Sequence, residues 1–152
     1  MIKMKASLNC IELIKRFEGF YSKPYLCPAN VWTIGYGSTR YANGKKVTSK
    51  DHPITEQQAI DIMKATLGSY ENDVNRYVKV AINQNQFDAL VDFAYNCGSK
   101  NLLNSTLLRK VNAGDFVGAS NEFKKWVYAD GKKLNGLIAR RAAEKELFLK
   151  EN

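Results

Sequence analysis

Phe17 to Thr39 reads F-E-G-F-Y-S-K-P-Y-L-C-P-A-N-V-W-T-I-G-Y-G-S-T. Glu18 stands where a helix has to stop, because Gly19 follows it and glycine readily takes the left-handed backbone of a helix C-terminus. Cys27 lies between two proline-marked bends, at Pro24 and Pro28. From Trp32 onward, large residues (Trp32, Ile34, Tyr36) alternate with small ones (Thr33, Gly35, Gly37). In a strand that alternation puts bulk on one face and leaves the other nearly bare. A bare strand face beside a lone carboxylate has room for a flat ligand such as a sugar ring.

Upstream, Ser7 is a plausible N-cap, and Leu8, Ile11, Ile14 and Phe17 recur on one face of a helix that ends at Glu18. The C-terminal end of a helix carries partial negative charge, which favours the protonated form of a carboxyl placed there. A general acid needs that form. Downstream, Trp32 to Val47 favours strand, and Asn43-Gly44 is a strong hairpin signal, so a small sheet of two or three strands is expected. Thr55 followed by Gln58 is a capping box, and it opens the longest helix. Ile60, Met63, Leu67, Tyr70, Val74 and Tyr77 form its apolar stripe, narrow enough for a helix that links two lobes. Gly68 inside it points to a close contact or a flexible point.

The remaining pattern is helical. Phe87, Leu90, Val91, Ala94 and Tyr95 make one face, closed by Gly98. Ser105 caps a second helix that ends at Gly114. Asp115 caps a third, carrying Phe116, Ala119, Phe123 and Trp126. Asp130-Gly131 marks a turn. Leu137 to Leu149 reads as a last amphipathic helix, with Arg140, Arg141, Glu144 and Lys145 on a solvated face or at a lobe edge. The expected fold is α+β, mainly α. It is a single domain with an N-terminal lobe over about 1–55, a linking helix over about 56–78 and a helical C-terminal lobe over about 79–152, with a cleft expected between the lobes.

The chain has 152 residues, of which 45% are hydrophobic and 25% charged, as in an ordinary globular protein with a sizeable core. No apolar run approaches the roughly 18 residues that span a bilayer. The start, M-I-K-M-K-A-S, lacks the apolar segment of a signal peptide or signal anchor, so synthesis in a cytoplasm is expected. The net charge of +8 calls for an anionic partner: nucleic acid, a membrane surface or an acidic wall polymer. Charge alone does not choose among them. Three cysteines without a C-x-x-C pair, and a single histidine (His52), give no zinc-ligand spacing. Free thiols and the absence of metal or cofactor are therefore the expectation. His52, ahead of Pro53, reads as a turn residue, and Cys10 and Cys97 as buried fillers.

The acids narrow the chemistry. No aspartate or glutamate occurs between Glu18 and Asp51, whereas a carboxylate-pair glycosidase places two acids about its substrate. Cys27 and Thr33 are the other chemically capable groups nearby. In this spacing (Glu18, eight residues, Cys27, five residues, Thr33, then T-I-G-Y-G) the sequence resembles the phage-type lysozymes. These are the endolysins of the T-even phage type, glycoside hydrolase family 24, whose motif has Asp or, in some members, Cys at the second position. Asn85-Gln86, Ala89-Leu90 and Phe93 through Asn96 and Gly98 continue the resemblance, as do Gly136-Leu137, Arg140-Arg141, Glu144 and Leu147. It covers nearly the whole chain.

That resemblance implies a muramidase that cuts the bond between N-acetylmuramic acid and N-acetylglucosamine in peptidoglycan and lyses the host cell. Glu18 would be the proton donor, with Thr33 steering the attacking water. Cys27 would help position or activate that water, or else only fill space. Free thiols titrate near 8.5 unless cations lower them, and Lys23 and Arg40 are close in sequence. Tyr95, Asn96 and Ser105 match positions where the family contacts sugars, with ordinary packing the competing reading for Tyr95. Ser38 departs from the histidine many members carry. The resemblance further implies a monomer without stable membrane insertion, held in the host cytoplasm until a holin releases it to the periplasm and wall. Three alternatives stand beside this reading: a lytic transglycosylase, a non-catalytic wall-binding module and, more remotely, a nucleic-acid-binding protein. Against the last, the basic residues are scattered and no nucleic-acid motif is present.

Overall fold

The computed structural model describes residues 3–151. The chain divides into two compact units, Ile14–Ser69 and Met1–Leu13 with Tyr70–Asn152, and the division falls within the first two helices, α1 (Leu8–Glu18) and α2 (Glu56–Tyr77). The secondary structure is α+β, mainly α, with two antiparallel two-stranded sheets among the described residues.

In the unit Ile14–Ser69, α1 stops at Glu18 as its sequence dictates. Gly19 takes φ +73°, and its N–H donates to the Lys15 carbonyl at 3.1 Å. The chain then forms β1 (Tyr21–Leu26), reverses through Cys27–Val31 and returns as β2 (Trp32–Gly35), pairing Tyr25 with Thr33 and Leu26 with Trp32. Pro24, expected at a bend, lies inside β1. Proline has no N–H for the ladder, and the register is irregular between Tyr21 and Tyr25.

Of the strand pattern expected from Trp32 to Val47, Trp32–Gly35 forms a strand, and the rest contributes isolated bridges. Gly35, which ends β2, and Gly37 adopt φ +67° and +77°, left-handed values that end the strand, so the chain folds into a three-residue turn. Ile34 N–H donates to Ser38 O at 2.8 Å and Ser38 N–H to Ile34 O at 3.0 Å. The large–small alternation therefore builds a turn and leaves no bare strand face. Further on, Asn43-Gly44 does make a turn, bridged between Arg40 and Lys46. The capping box at α2 forms on both sides, with Gln58 N–H to Thr55 Oγ1 at 3.1 Å and Thr55 N–H to Gln58 Oε1 at 2.8 Å. Gly68 marks no close contact, since a Cβ there would meet nothing within 4 Å.

In the other unit, Asn83 and Gln86 close a second capping box at the start of α3 (Gln84–Cys97), ten of whose residues are buried. The segment before α1 is tied down by side chains. Asn75 bonds both backbone groups of Met4, at 2.9 and 2.8 Å, and Asp88 takes the N–H and hydroxyl of Ser7. A short α4 (Ser99–Leu103) precedes α5 (Thr106–Asn112), which Ser105 caps as expected. Asp115 caps α6 (Phe116–Ser120), but that helix ends before Phe123, which sits in a separate 3₁₀ turn. Phe93, Phe123, Trp126 and Phe148 pack edge to face with centroids 5.3–5.9 Å apart. Asp130 and Gly131, at φ +51° and +76°, form the two-residue turn joining β3 (Tyr128–Ala129) to β4 (Lys132–Lys133). The last helix is α7 (Asn135–Leu149).

The reading of α7 needs correction. Arg140, Arg141 and Glu144 are 3%, 1% and 0% exposed rather than on a solvated face. Burial is possible because each charge meets its partner. Arg140 grips Asp92 through two bonds of 2.8 and 3.1 Å, and Arg141 Nε pairs with Glu144 Oε1 at 2.6 Å. Arg141 also donates to Asn96 Oδ1 at 2.8 Å and to the sulfur of Cys97 at 2.6 Å, so Cys97 is more than a filler. Burial, then the hydrogen bond to Asp92, pushes the Glu144 carboxyl well above the ordinary range. Burial alone would raise Asp92 too, but the bond from Glu144 and the guanidinium of Arg140 outweigh it and hold its carboxyl low. Of the two acids, Glu144 is thus the one pushed towards its protonated form. A raised folded-state pKa gives stability that is full below the unfolded value, near 4.5, and is lost as pH rises through the folded value. Glu144→Gln keeps a donor for Asp92 but cannot titrate. Its Tm should fall less than the wild type's as pH rises above the unfolded carboxyl value, near 4.5; parallel Tm–pH curves would show that Glu144 is not the titrating group.

Candidate active site

Everything expected of the reacting end lies in the unit Ile14–Ser69. Glu18 is half-buried at the end of α1. Its carboxyl lies directly against the backbone of the Ile34–Ser38 turn: a Cβ built on Gly37 would be 2.5 Å from Glu18 Oε1 and 2.8 Å from its Cδ. A side chain at Gly37 would displace that carboxyl, so the last glycine of T-I-G-Y-G leaves Glu18 its place as well as suiting the positive φ. Gly35 is held similarly, its would-be Cβ 3.0 Å from that of Ala59 on α2.

Cys27 and Thr33 are brought together by the hairpin. The Cys27–Val31 turn is closed by Cys27 N–H to Val31 O at 3.1 Å and Asn30 N–H to Cys27 O at 2.8 Å, with Asn30 at φ +61°. This curls backbone N–H groups around the sulfur. Hydrogen bonding from Val31 leads, and with contributions from Ala29 and the Thr33 hydroxyl it outweighs partial burial and holds the thiol below its ordinary range. Lys23 and Arg40, which sequence proximity suggested as the cause, are not among these groups; Arg40 instead donates to Gly44 O at 2.8 Å. Thr33 is 3% exposed, and its one hydroxyl proton has two acceptors in reach, the Val31 carbonyl at 2.9 Å and the Cys27 sulfur.

Tyr25 escaped the sequence reading. It faces Thr33 across the ladder and stacks on Tyr21 with ring centroids 4.2 Å apart. Burial first, then the charge of Glu18, then Tyr21 and Cys27, raise its phenol. Tyr25 therefore pairs with Thr33 and feels the charges of Glu18 and Cys27. The Y-x-C spacing was its only signal. Ser38, the other departure from the family pattern, is buried, and its hydroxyl has no hydrogen-bond partner among the described residues.

The expected sugar-contacting residues lie in the other unit. Half-buried Tyr95 packs its ring 5.5 Å from that of Tyr70. Asn96 is held by Arg141. Ser105 is 4% exposed and uses its hydroxyl locally, accepting from Leu108 N–H at 3.0 Å and donating to Leu102 O at 2.7 Å.

The phage lysozyme family matches residues 15–144, from the helix that carries Glu18 to the buried Glu144. The chain belongs to the phage lysozyme family. An endolysin of Acyrthosiphon pisum secondary endosymbiont phage 1 is 42% identical over 149 residues, covering 95% of this chain and 98% of that one. The structure of an endolysin from Escherichia coli O157:H7 phage FAHEc1 superposes with a TM-score of 0.88 at 37% identity, covering 96% and 94% of the two chains. The muramidase domain of SpmX from Asticaccaulis excentricus gives 0.85 at 34% identity over 97% and 99%. This phage lysozyme is accordingly a glycosidase that acts on peptidoglycan.

The sulfur's surroundings set a chemical order among the three free cysteines. Burial, the largest cause in each, raises the Cys10 and Cys97 thiols, whereas the half-exposed Cys27 is lowered. Limiting iodoacetamide at pH 7 should label Cys27 first. Mass spectrometry that finds Cys10 or Cys97 labelled as fast would contradict the arrangement.

Proposed function

We propose that this lysozyme hydrolyses the β-1,4 bond joining N-acetylmuramic acid to N-acetylglucosamine with Glu18 as the proton donor, Thr33 and Cys27 serving the attacking water. The observation that carries this is the seating of Glu18 against Gly37. A fixed carboxyl with no second acid before Asp51 is suited to protonating the leaving glycosidic oxygen as the sugar gains oxocarbenium character. The Thr33 hydroxyl orients the water, and Cys27, whose thiol is lowered by the N–H groups of its turn, accepts the water's proton in its ionised form. Tyr95, through its ring, and Asn96, through an amide suited to N-acetyl groups, take the sugar-contacting roles, while Ser105, its buried hydroxyl already bonded to Leu108 N–H and Leu102 O, caps its helix. The reading further includes a monomer that waits in the host cytoplasm until a holin opens the way to the wall. No helix of the described residues is long and apolar enough to cross a membrane.

Turbidity of outer-membrane-permeabilised cells tests the core of this. Glu18→Gln should stop clearing. Cys27→Asp should retain activity, while Cys27→Ala should lose roughly 10²-fold, the usual worth of a positioned base. Full clearing by both the Cys27→Ser and Cys27→Ala variants would reduce the sulfur to packing. Product analysis adds the remaining distinction, because hydrolysis leaves a reducing-end sugar and lytic transglycosylation an anhydro sugar.

A further inference from the structure

The turn that supports Glu18 is anchored from its apex, and the anchor runs back to Glu18's own helix. Tyr36, between the two left-handed glycines, is 3% exposed and donates its hydroxyl to the carboxylate of Glu56. Glu56 is the first residue of α2, a rigid element whose start is fixed by the Thr55–Gln58 capping box. The same carboxylate lies 3.8 Å from Lys15 Nζ, and that ammonium is 6.0 Å from the centroid of the Tyr36 ring. Lys15 sits one turn before Glu18 on α1, and its carbonyl accepts the N–H of Gly19 that ends the helix. Phe20, just beyond, packs its ring 5.7 Å from that of Tyr36. Glu56 therefore ties together the apex of the turn and the helix end that carries the acid.

We infer that Tyr36 and Glu56 are positioning residues for proton transfer by Glu18, holding the Gly37 backbone against its carboxyl. The inference rests on Glu18 being the donor. Neither residue has to touch the sugar. The ion pair to Lys15 contributes little by itself, since the Glu56 side chain is 57% exposed. The hydrogen bond from the buried phenol is the directional part. Breaking it leaves the fold intact but lets the turn relax by the fraction of an ångström that separates a well-placed acid from a loose one.

The test uses the full chain, soluble peptidoglycan fragments and three variants. Tyr36→Phe removes one oxygen, and Glu56→Gln keeps an acceptor while removing the charge. Each should lower kcat by roughly tenfold with KM changed less than about twofold. The basic limb of the kcat–pH profile should shift in both, a readout that a merely structural role would not move. The double variant should be no worse than the weaker single one, because the two act as a unit. Wild-type kcat and pH profile in both singles, or a loss that follows only the folded fraction with an unshifted profile, would overturn the inference while Glu18→Gln is inactive. A Glu18→Gln variant that keeps its activity would overturn the proton-donor reading and this inference with it.

Discussion

A carboxyl resting on a backbone with no side chain between them is the contact on which the rest of this site depends. Glu18 is delivered by a helix whose end is fixed by the left-handed Gly19, and Gly37 is delivered by a turn that needs left-handed backbone at two positions. Both glycines of the turn are spatially constrained as well, one against Glu18 and one against Ala59 on α2. The hairpin, the capping box and the Tyr36–Glu56 bond all serve to hold those two backbones at one separation. The lone acid then has a fixed place to act from.

Sulfur at position 27 fits the same logic. A carboxylate there would accept hydrogen bonds from the N–H groups of the Cys27–Val31 turn, and the thiol accepts them in its stead. Sequence proximity pointed to Lys23 and Arg40 as the cations that could lower the thiol. Backbone N–H groups do the work, so the lowered thiol belongs to the local loop geometry rather than to the surface charge. Half exposure keeps that sulfur available to water, in contrast to buried Cys10, and Cys97 differs in that burial raises its thiol.

Features with a local physical signature could be read from the sequence. The Gly19 stop, the Thr55–Gln58 box, the Ser105 cap and the Asp130-Gly131 turn each depend on residues within a few positions, and each is present. The site's spacing was legible too, through Glu18, Cys27, Thr33 and the T-I-G-Y-G run. What misled was periodicity without φ: alternation of large and small residues has the period of a strand, and left-handed glycines leave the same trace. Arg140, Arg141 and Glu144 misled for a different reason. A charge on an amphipathic helix reads as solvated unless its partner is known, and the partner of Arg140, Asp92, lies 48 residues away. Tyr25 acquires its role only through the β1–β2 register, which Pro24 disguised.

Gly37→Ala measures the central contact most directly. The methyl group would collide with the end of a flexible side chain, so the fold can yield by moving Glu18, at a cost of about 1–2 kcal/mol for the left-handed backbone. Stability and activity should therefore part. The account predicts a folded variant with a Tm lowered by only several degrees and wall-clearing activity reduced by roughly 10²-fold or more. A Gly37→Ala variant whose activity falls no further than its folded fraction would contradict it.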